Sequence, residues 1–244
     1  MQDVTVTHYP DAAPLFGTGV EMATPSLKII VARSGAFTVT GRERTAFVVG
    51  PRTAPVAVGY GPATDCHEWS LPPWISSALL DVPGGELSGR IHDLSDLPSS
   101  PFLRSLIEGR PESRTLVGEA LADRSAGRRS SDGALAKAVW VVLQRSPDRT
   151  VAAVAELLGV GTRRLQQAAR RELGLSPKEI ARLLRHQQAL EMIASRPTSL
   201  AQIAQDAGYA DQSHMTREFA AFGAITPGDL RRVYRSGRRA RVPT

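Results

Sequence analysis

GYADQSHMTREFAAFGAITPGDLRR (208–232) decides the fold of this 244-residue chain. Asp211 is an N-cap residue, and Met215, Phe219 and Phe222 recur at the interval that puts them on one face of a helix ending at Gly223. Just upstream, Ser199 caps another helix, with Leu200, Ile203, Ala204 and Ala207 inward and Gly208 as its stop. Together they form a helix, a short turn and a second helix.

The arrangement occurs twice. Thr150 caps a helix carrying Val151, Val154, Ala155 and Leu158 and ending at Gly159. A second helix runs from about Thr162 to Leu173, with Leu165, Ala169 and Leu173 inward, and closes at Gly174. Val151 pairs with Leu200 at an offset of 49, Leu165 with Met215 at 50 and Pro177 with Pro227 at 50, so the extra residue falls in the turn. One helix pair is common in any helical protein. Two in register on a basic module are the layout of a helix-turn-helix reader.

The connection sets the mechanism. Ser176-Pro177-Lys178-Glu179 is a capping box with proline at the first helical position. Ile180, Leu183, Leu184, Gln187, Leu190 and Ile193 then follow one helix until Pro197. About 19 residues at about 1.5 Å each make a rod of roughly 28 Å. One DNA turn is about 34 Å, so such a rod sets two reading helices in successive major-groove segments. A preceding amphipathic helix, 134–145, carries Leu135, Ala138, Val139, Val142 and Leu143.

The stretch 208–232 closely resembles the signature of AraC/XylS-type transcription regulators: a Gly-aromatic turn, a Gln-Ser-His opening to the reading helix, Arg217 and Phe219 beyond it, then Thr-Pro. RRELGLSPKEIARLLRHQQAL (170–190) also fits that family's first-unit exit and linker helix, and the resemblance spans 134–235. More loosely, 50–97 is similar to the small β-domain that one subgroup places before its DNA-binding part. The resemblance implies that Gln212, Ser213, His214, Thr216 and Arg217 read DNA in the second unit. In the first unit the matching positions are Arg163, Gln166 and Gln167, with Thr162, Arg164 and Arg170 nearby as phosphate contacts. The chemistry agrees: Gln pairs bidentately with adenine, Arg with guanine, and Thr touches a thymine methyl. The commoner fate of any surface arginine is a solvated helix face, and Arg170 and Arg171 have Glu172 as an alternative partner.

Two departures stand out. Gln167-Ala168-Ala169 replaces a basic residue followed by a bulky one, and Ala169 sits where Phe219 sits in the second copy, which thins the first unit's core. His186 takes a linker-helix position where an aromatic is usual; it reads as a neutral, space-filling ring.

The N-terminal half differs in kind. LKIIVAR (27–33), AFTVT (36–40), TAFVV (45–49) and APVAVGY (54–60) are short β-prone runs divided by Gly and Pro, predicting an antiparallel sheet, sandwich or small barrel. Helical spacing follows at 102–109 and 115–124, and SAGRRSSDG (125–133) reads as a linker. The expected organisation is α+β: a β-rich effector or dimerisation domain over 1–100, a helical connector and linker over 101–133, the double helix-turn-helix domain over 134–235, and a basic, disordered tail over 236–244 that adds salt-sensitive phosphate contacts. Residues 1–134 carry a net −3 and 135–244 a net +9, which suits a polyanion-binding module joined to something else.

Composition closes other routes. A single cysteine, Cys66, excludes a disulfide framework and a Cys-rich zinc module. Cys66, His67 and Glu68 are adjacent in a strand-rich stretch, so they point to alternating faces and cannot converge on a metal; they read as a partly buried Cys beside surface polar groups. Trp69 and Trp74 flank Pro72-Pro73 and fill a core or line a pocket. No apolar run spans a bilayer and no signal-peptide layout is present, so the expectation is a cytoplasmic protein without membrane, metal, cofactor or catalytic residues. Its expected partner is a double-stranded DNA operator, with RNA polymerase and an unidentified small-molecule effector as further partners the resemblance allows. Two alternatives stand beside a sequence-specific regulator. One is a non-specific architectural DNA binder. The other is a DNA-repair enzyme on the same module, disfavoured by the lone cysteine.

Overall fold

The computed structural model describes residues 5–9, 19–61, 63–109, 113–122 and 131–235. Most of the 125–133 stretch and all of the 236–244 tail lie outside them.

Among the described residues, nine strands build the first half: β1 (Thr5–Tyr9), β2 (Val20–Glu21), β3 (Leu27–Ser34), β4 (Phe37–Val39), β5 (Arg42–Arg44), β6 (Ala46–Val49), β7 (Val56–Tyr60), β8 (Asp65–Leu71) and β9 (Ile91–Asp93). They form two antiparallel sheets, one ordered β1-β8-β3-β6-β9 and the other β2-β7-β4-β5. The two-residue period explains the layering. Ile30, Phe47, Val49 and Cys66 face Phe37, Val39 and Val58 of the smaller sheet. Leu27, Ile29, Val48, Trp69 and Leu71 face the opposite way, onto helices α1 (Ser76–Leu80), α3 (Pro101–Ile107) and α4 (Ser113–Ala122). The four expected strand runs are present. The helices α1 and α2 (Gly84–Leu87) were not foreseen, because four or five residues are too few to display a helical period.

Over the described residues 131–235, seven helices form the second half: α5 (Ser131–Arg145), α6 (Val151–Leu157), α7 (Thr162–Leu173), α8 (Pro177–Ser195), α9 (Leu200–Asp206), α10 (Gln212–Gly223) and α11 (Pro227–Arg235). Thr150, Ser199 and Asp211 cap α6, α9 and α10, each accepting from the backbone N–H three residues on. Gly159, Gly174 and Gly208 take the left-handed conformation where their helices stop. One boundary differs from expectation, and one expected boundary closes in an unexpected way. α5 starts at Ser131, three residues early, with Asp132 in its first turn where the helix dipole favours an anion. At the end of α10 the left-handed residue is Ala224, and Gly223 is the last helical residue. A Cβ on Gly223 would lie 3.2 Å from Met22 Cγ, so glycine serves a close approach there.

That approach is one of several between the halves. The Ala23 N–H donates to the Phe222 carbonyl (2.7 Å), at the C-terminal end of α10. At the C-terminal end of α7, Ser88 Oγ donates to the Gly174 carbonyl (2.7 Å), and a Cβ on Gly85 would meet the Arg171 carbonyl oxygen at 2.6 Å. Trp74 packs against the cores of both halves, with Lys137 Nζ 4.5 Å from its ring centroid. The β-domain thus touches both α7 and α10 at their C-terminal ends. Ala169 is fully buried in a cluster that includes Trp140 and Phe222, rings that occupy the first unit's core in place of a Phe at 169.

Candidate DNA interface and the cavity of the β-domain

On α7, Thr162, Arg163, Arg164, Gln166, Gln167 and Arg170 are all exposed, while Leu165, Ala168 and Ala169 are buried. Arg163, Gln166, Gln167 and Arg170 share one stripe at helical spacing. Arg171, not Arg170, takes the carboxylates: it lies 3.6 Å from Asp132 and 3.5 Å from Glu172. On α10, Gln212, Ser213 and Arg217 are exposed. Thr216 is half-buried and its hydroxyl donates to the Gln212 carbonyl (2.9 Å). His214 is also half-buried, edge-on to Tyr209 with Nε2 3.7 Å from Glu218. Nine of these eleven positions are thus exposed, while His214 and Thr216 are half-buried.

Three features fix α10. Arg182 of α8 donates from Nε to the buried Glu218 (2.5 Å), an ion pair with one arm in water and one inside. The Arg182 guanidinium also lies 5.0 Å from the Phe222 ring centroid. Buried His186 sits edge-to-face with Phe219 and Phe222, at 4.4 and 5.4 Å between centroids. Burial drives its imidazole down to about 3, so it is neutral, as the sequence predicts.

Between the units, the α5–α6 turn, the first half of α8 and the inner side of α10 enclose a groove of about 700 Å³. Arg149, Lys178 and Arg185 line it beside His214 and Arg217. Sequence reading missed the first three because none falls on a reading helix.

The β-domain has a second concavity, about 40 Å³, between its sheets. It corrects one expectation: Glu68 is no surface group. On the same face as Cys66, it accepts from Lys28 Nζ at 2.9 Å inside the cavity, whereas His67 points the other way and stacks on His8 at 4.6 Å. Burial works against the Lys28 charge, but Glu68 and Glu21 outweigh it and raise its affinity for the proton. Tyr60 donates to Glu21 (2.6 Å). Arg52, buried beside them, donates from Nη2 to the Met22 carbonyl (3.0 Å), while its Nε and Nη1 have no hydrogen-bond partner among the described residues. Burial lowers its affinity for the proton. The signal was a lysine inside the apolar run LKIIVAR, which a strand buries only with a partner.

Among the described residues no cluster of three or more His, Cys, Asp or Glu side chains could hold a metal ion, and no helix is long and apolar enough to cross a membrane.

A helix-turn-helix domain family model matches residues 154–233. The fold is similar over 96% of this chain and 99% of the other to ToxT from Vibrio cholerae O395, at 9% identity and a TM-score of 0.52. Unsaturated fatty acid-bound ToxT from V. cholerae strain SCE256 superposes over 95% of each chain, at 10% identity and a TM-score of 0.50. The C-terminal domain of AraT, a response regulator from Geobacillus stearothermophilus, is 25% identical over 44% of this chain and 88% of that one, with a TM-score of 0.40. No curated protein matches significantly.

Proposed function

We propose that this chain is a DNA-binding transcription regulator of the AraC type, working through residues 154–233, which match a helix-turn-helix domain model. We propose that α7 and α10 enter successive major-groove segments on one side of an operator. Arg163, Gln166 and Gln167 read bases from the first unit. Gln212, Ser213, His214, Thr216 and Arg217 read them from the second, and Thr162, Arg164 and Arg170 hold phosphates. The observation that carries this reading is α8: 19 unbroken residues, roughly 28 Å, joining two units of the same build with exposed reading faces. The chain acts as a binder, without a catalytic step, in the cytoplasm where its DNA is. RNA polymerase remains a proposed second partner on the family resemblance alone.

Selection of bound duplexes from a random pool by the full chain tests this. Two enriched boxes about one helical turn apart are expected, and Arg217→Ala should cost about 1–3 kcal/mol at particular base pairs of the second box. A pool without enrichment would establish the architectural, non-specific alternative instead.

An effector belongs to the same proposal. The unpartnered Nε and Nη1 donors of Arg52, in a cavity walled by Phe37, Phe47 and Val58, suit a small molecule presenting a carboxylate to an apolar pocket. ToxT, in the fatty acid-bound form named above, is a fold neighbour that takes an acid of that kind. The cavity as it stands admits only a water-sized group, so the ligand must displace side chains to enter. A thermal-shift screen of small carboxylic acids should find binders whose shift disappears in Arg52→Gln; shifts that persist in that variant would place the ligand elsewhere.

A further inference from the structure

Apart from His214 and Arg217, which the reading above gives to base contacts, the groove between the two units is lined by residues outside the two reading stripes, and its charge is one-sided. Arg182 and Glu218 neutralise each other inside it, leaving Asp148 as the remaining acid among its lining residues, against Arg149, Lys178, Arg185 and Arg217. Arg149 and Lys178 are exposed, and neither side chain has an ion pair among the described residues, whereas Arg171 and Arg196 are paired with Asp132 and Asp206. Arg185 is held at the floor, its guanidinium 5.6 Å from the Tyr209 ring centroid and its buried Nε without a hydrogen-bond partner. Cations gathered in a concavity with low-dielectric walls focus a positive potential, and that costs free energy until an anion enters.

Position identifies the anion. The groove is bounded by the entry to the first unit on one side and by His214 and Arg217 of α10 on the other. A duplex that presents one major-groove segment to α7 and the next to α10 must carry a sugar–phosphate strand across the interval, and this groove occupies the interval. We propose that the groove seats that strand, with Arg149, Lys178 and Arg185 contacting its phosphates. The proposal rests on the two-unit reading above. Such contacts carry no base information; they fix the register of both reading helices at once and contribute through counterion release.

The test is Arg149→Ala with Lys178→Ala in the full chain, both exposed positions whose replacement should leave the thermal midpoint unchanged. Binding is measured on a random-sequence duplex and on a duplex from the selected pool, across a salt series. The proposal expects affinity for both duplexes to fall by the same factor, on the order of tens-fold at 0.1 M salt. The slope of log affinity against log salt should become shallower by about 1.8, as two lost phosphate contacts require. Base preferences should stay as they were. Unchanged affinity and slope, with the parent chain still binding, overturn the groove and leave the two-unit reading intact. A loss confined to A·T-rich duplexes also overturns it, because it marks a side chain in the minor groove. A parent chain that binds neither duplex removes the reading on which the proposal stands.

Discussion

His186 shows what a single residue contributes when it replaces a hydrocarbon in a core. Both ring nitrogens are buried without a hydrogen-bond partner among the described residues, and the ring is wedged against Phe219 and Phe222. The imidazole is neutral in the fold and titrates near 3, but near 6.5 once the chain unfolds. Between those values the unfolded chain binds more protons, so stability is fully present above about pH 6.5 and falls as pH drops towards 3. The slope is at most about 1.4 kcal/mol per pH unit. In His186→Leu that contribution vanishes. Denaturant unfolding at pH 7, 6 and 5 should therefore show the variant gaining on the parent at each acid step. Curves that stay parallel would mean the ring is solvated or charged in the fold.

At the scale of elements, α8 is the member on which both units are built. Its start is fixed twice over: Ser176 Oγ accepts from the Glu179 N–H (3.3 Å), and Glu179 accepts from the Ser176 N–H (2.7 Å). Burial works against the Glu179 charge, yet the Ser176 hydroxyl (2.6 Å) and the Ser176 N–H both donate to its carboxylate and hold it below the ordinary carboxylate range. This was legible in the sequence because a capping box is local chemistry, written in four consecutive residues. The repeat was legible for a similar reason: caps at 150, 199 and 211, glycine stops at 159, 174 and 208, and a 3.6-residue apolar period all speak within one helix pair. The cavity of the β-domain was not. Glu21, Lys28, Arg52 and Glu68 converge only through strand register, with Lys28 opposite Ser70 and Ile30 opposite Glu68 across β3 and β8, and register is set by the whole sheet. The groove was equally hidden, since Arg149, Lys178 and Arg185 belong to a turn and a linker helix that meet only in three dimensions. Gly223 reads as ordinary helix punctuation, and its close approach to Met22 lies on the other half of the chain.

For the molecule as a whole, the close fit of α2 against α7 makes a further prediction. Gly85 has an ordinary helical backbone, so Gly85→Ala should favour α2 by up to about 1 kcal/mol considered alone. The added methyl, however, would sit 2.6 Å from the Arg171 carbonyl and 2.7 Å from that of Arg170, both backbone atoms that cannot swing aside. The variant should lose the docking while keeping each half folded, and calorimetry should resolve two unfolding transitions where the parent shows one. A single transition in the variant would show that the two halves are not coupled through this contact. The same contact has a geometric corollary when taken together with Ala23 at the end of α10. The β-domain touches α10 through Met22 and Ala23 and touches α7 through Gly85. Arg52, bonded to the Met22 carbonyl, ties the cavity between the sheets to the first of these contacts, so a side chain displaced in that cavity bears on the seat of α10.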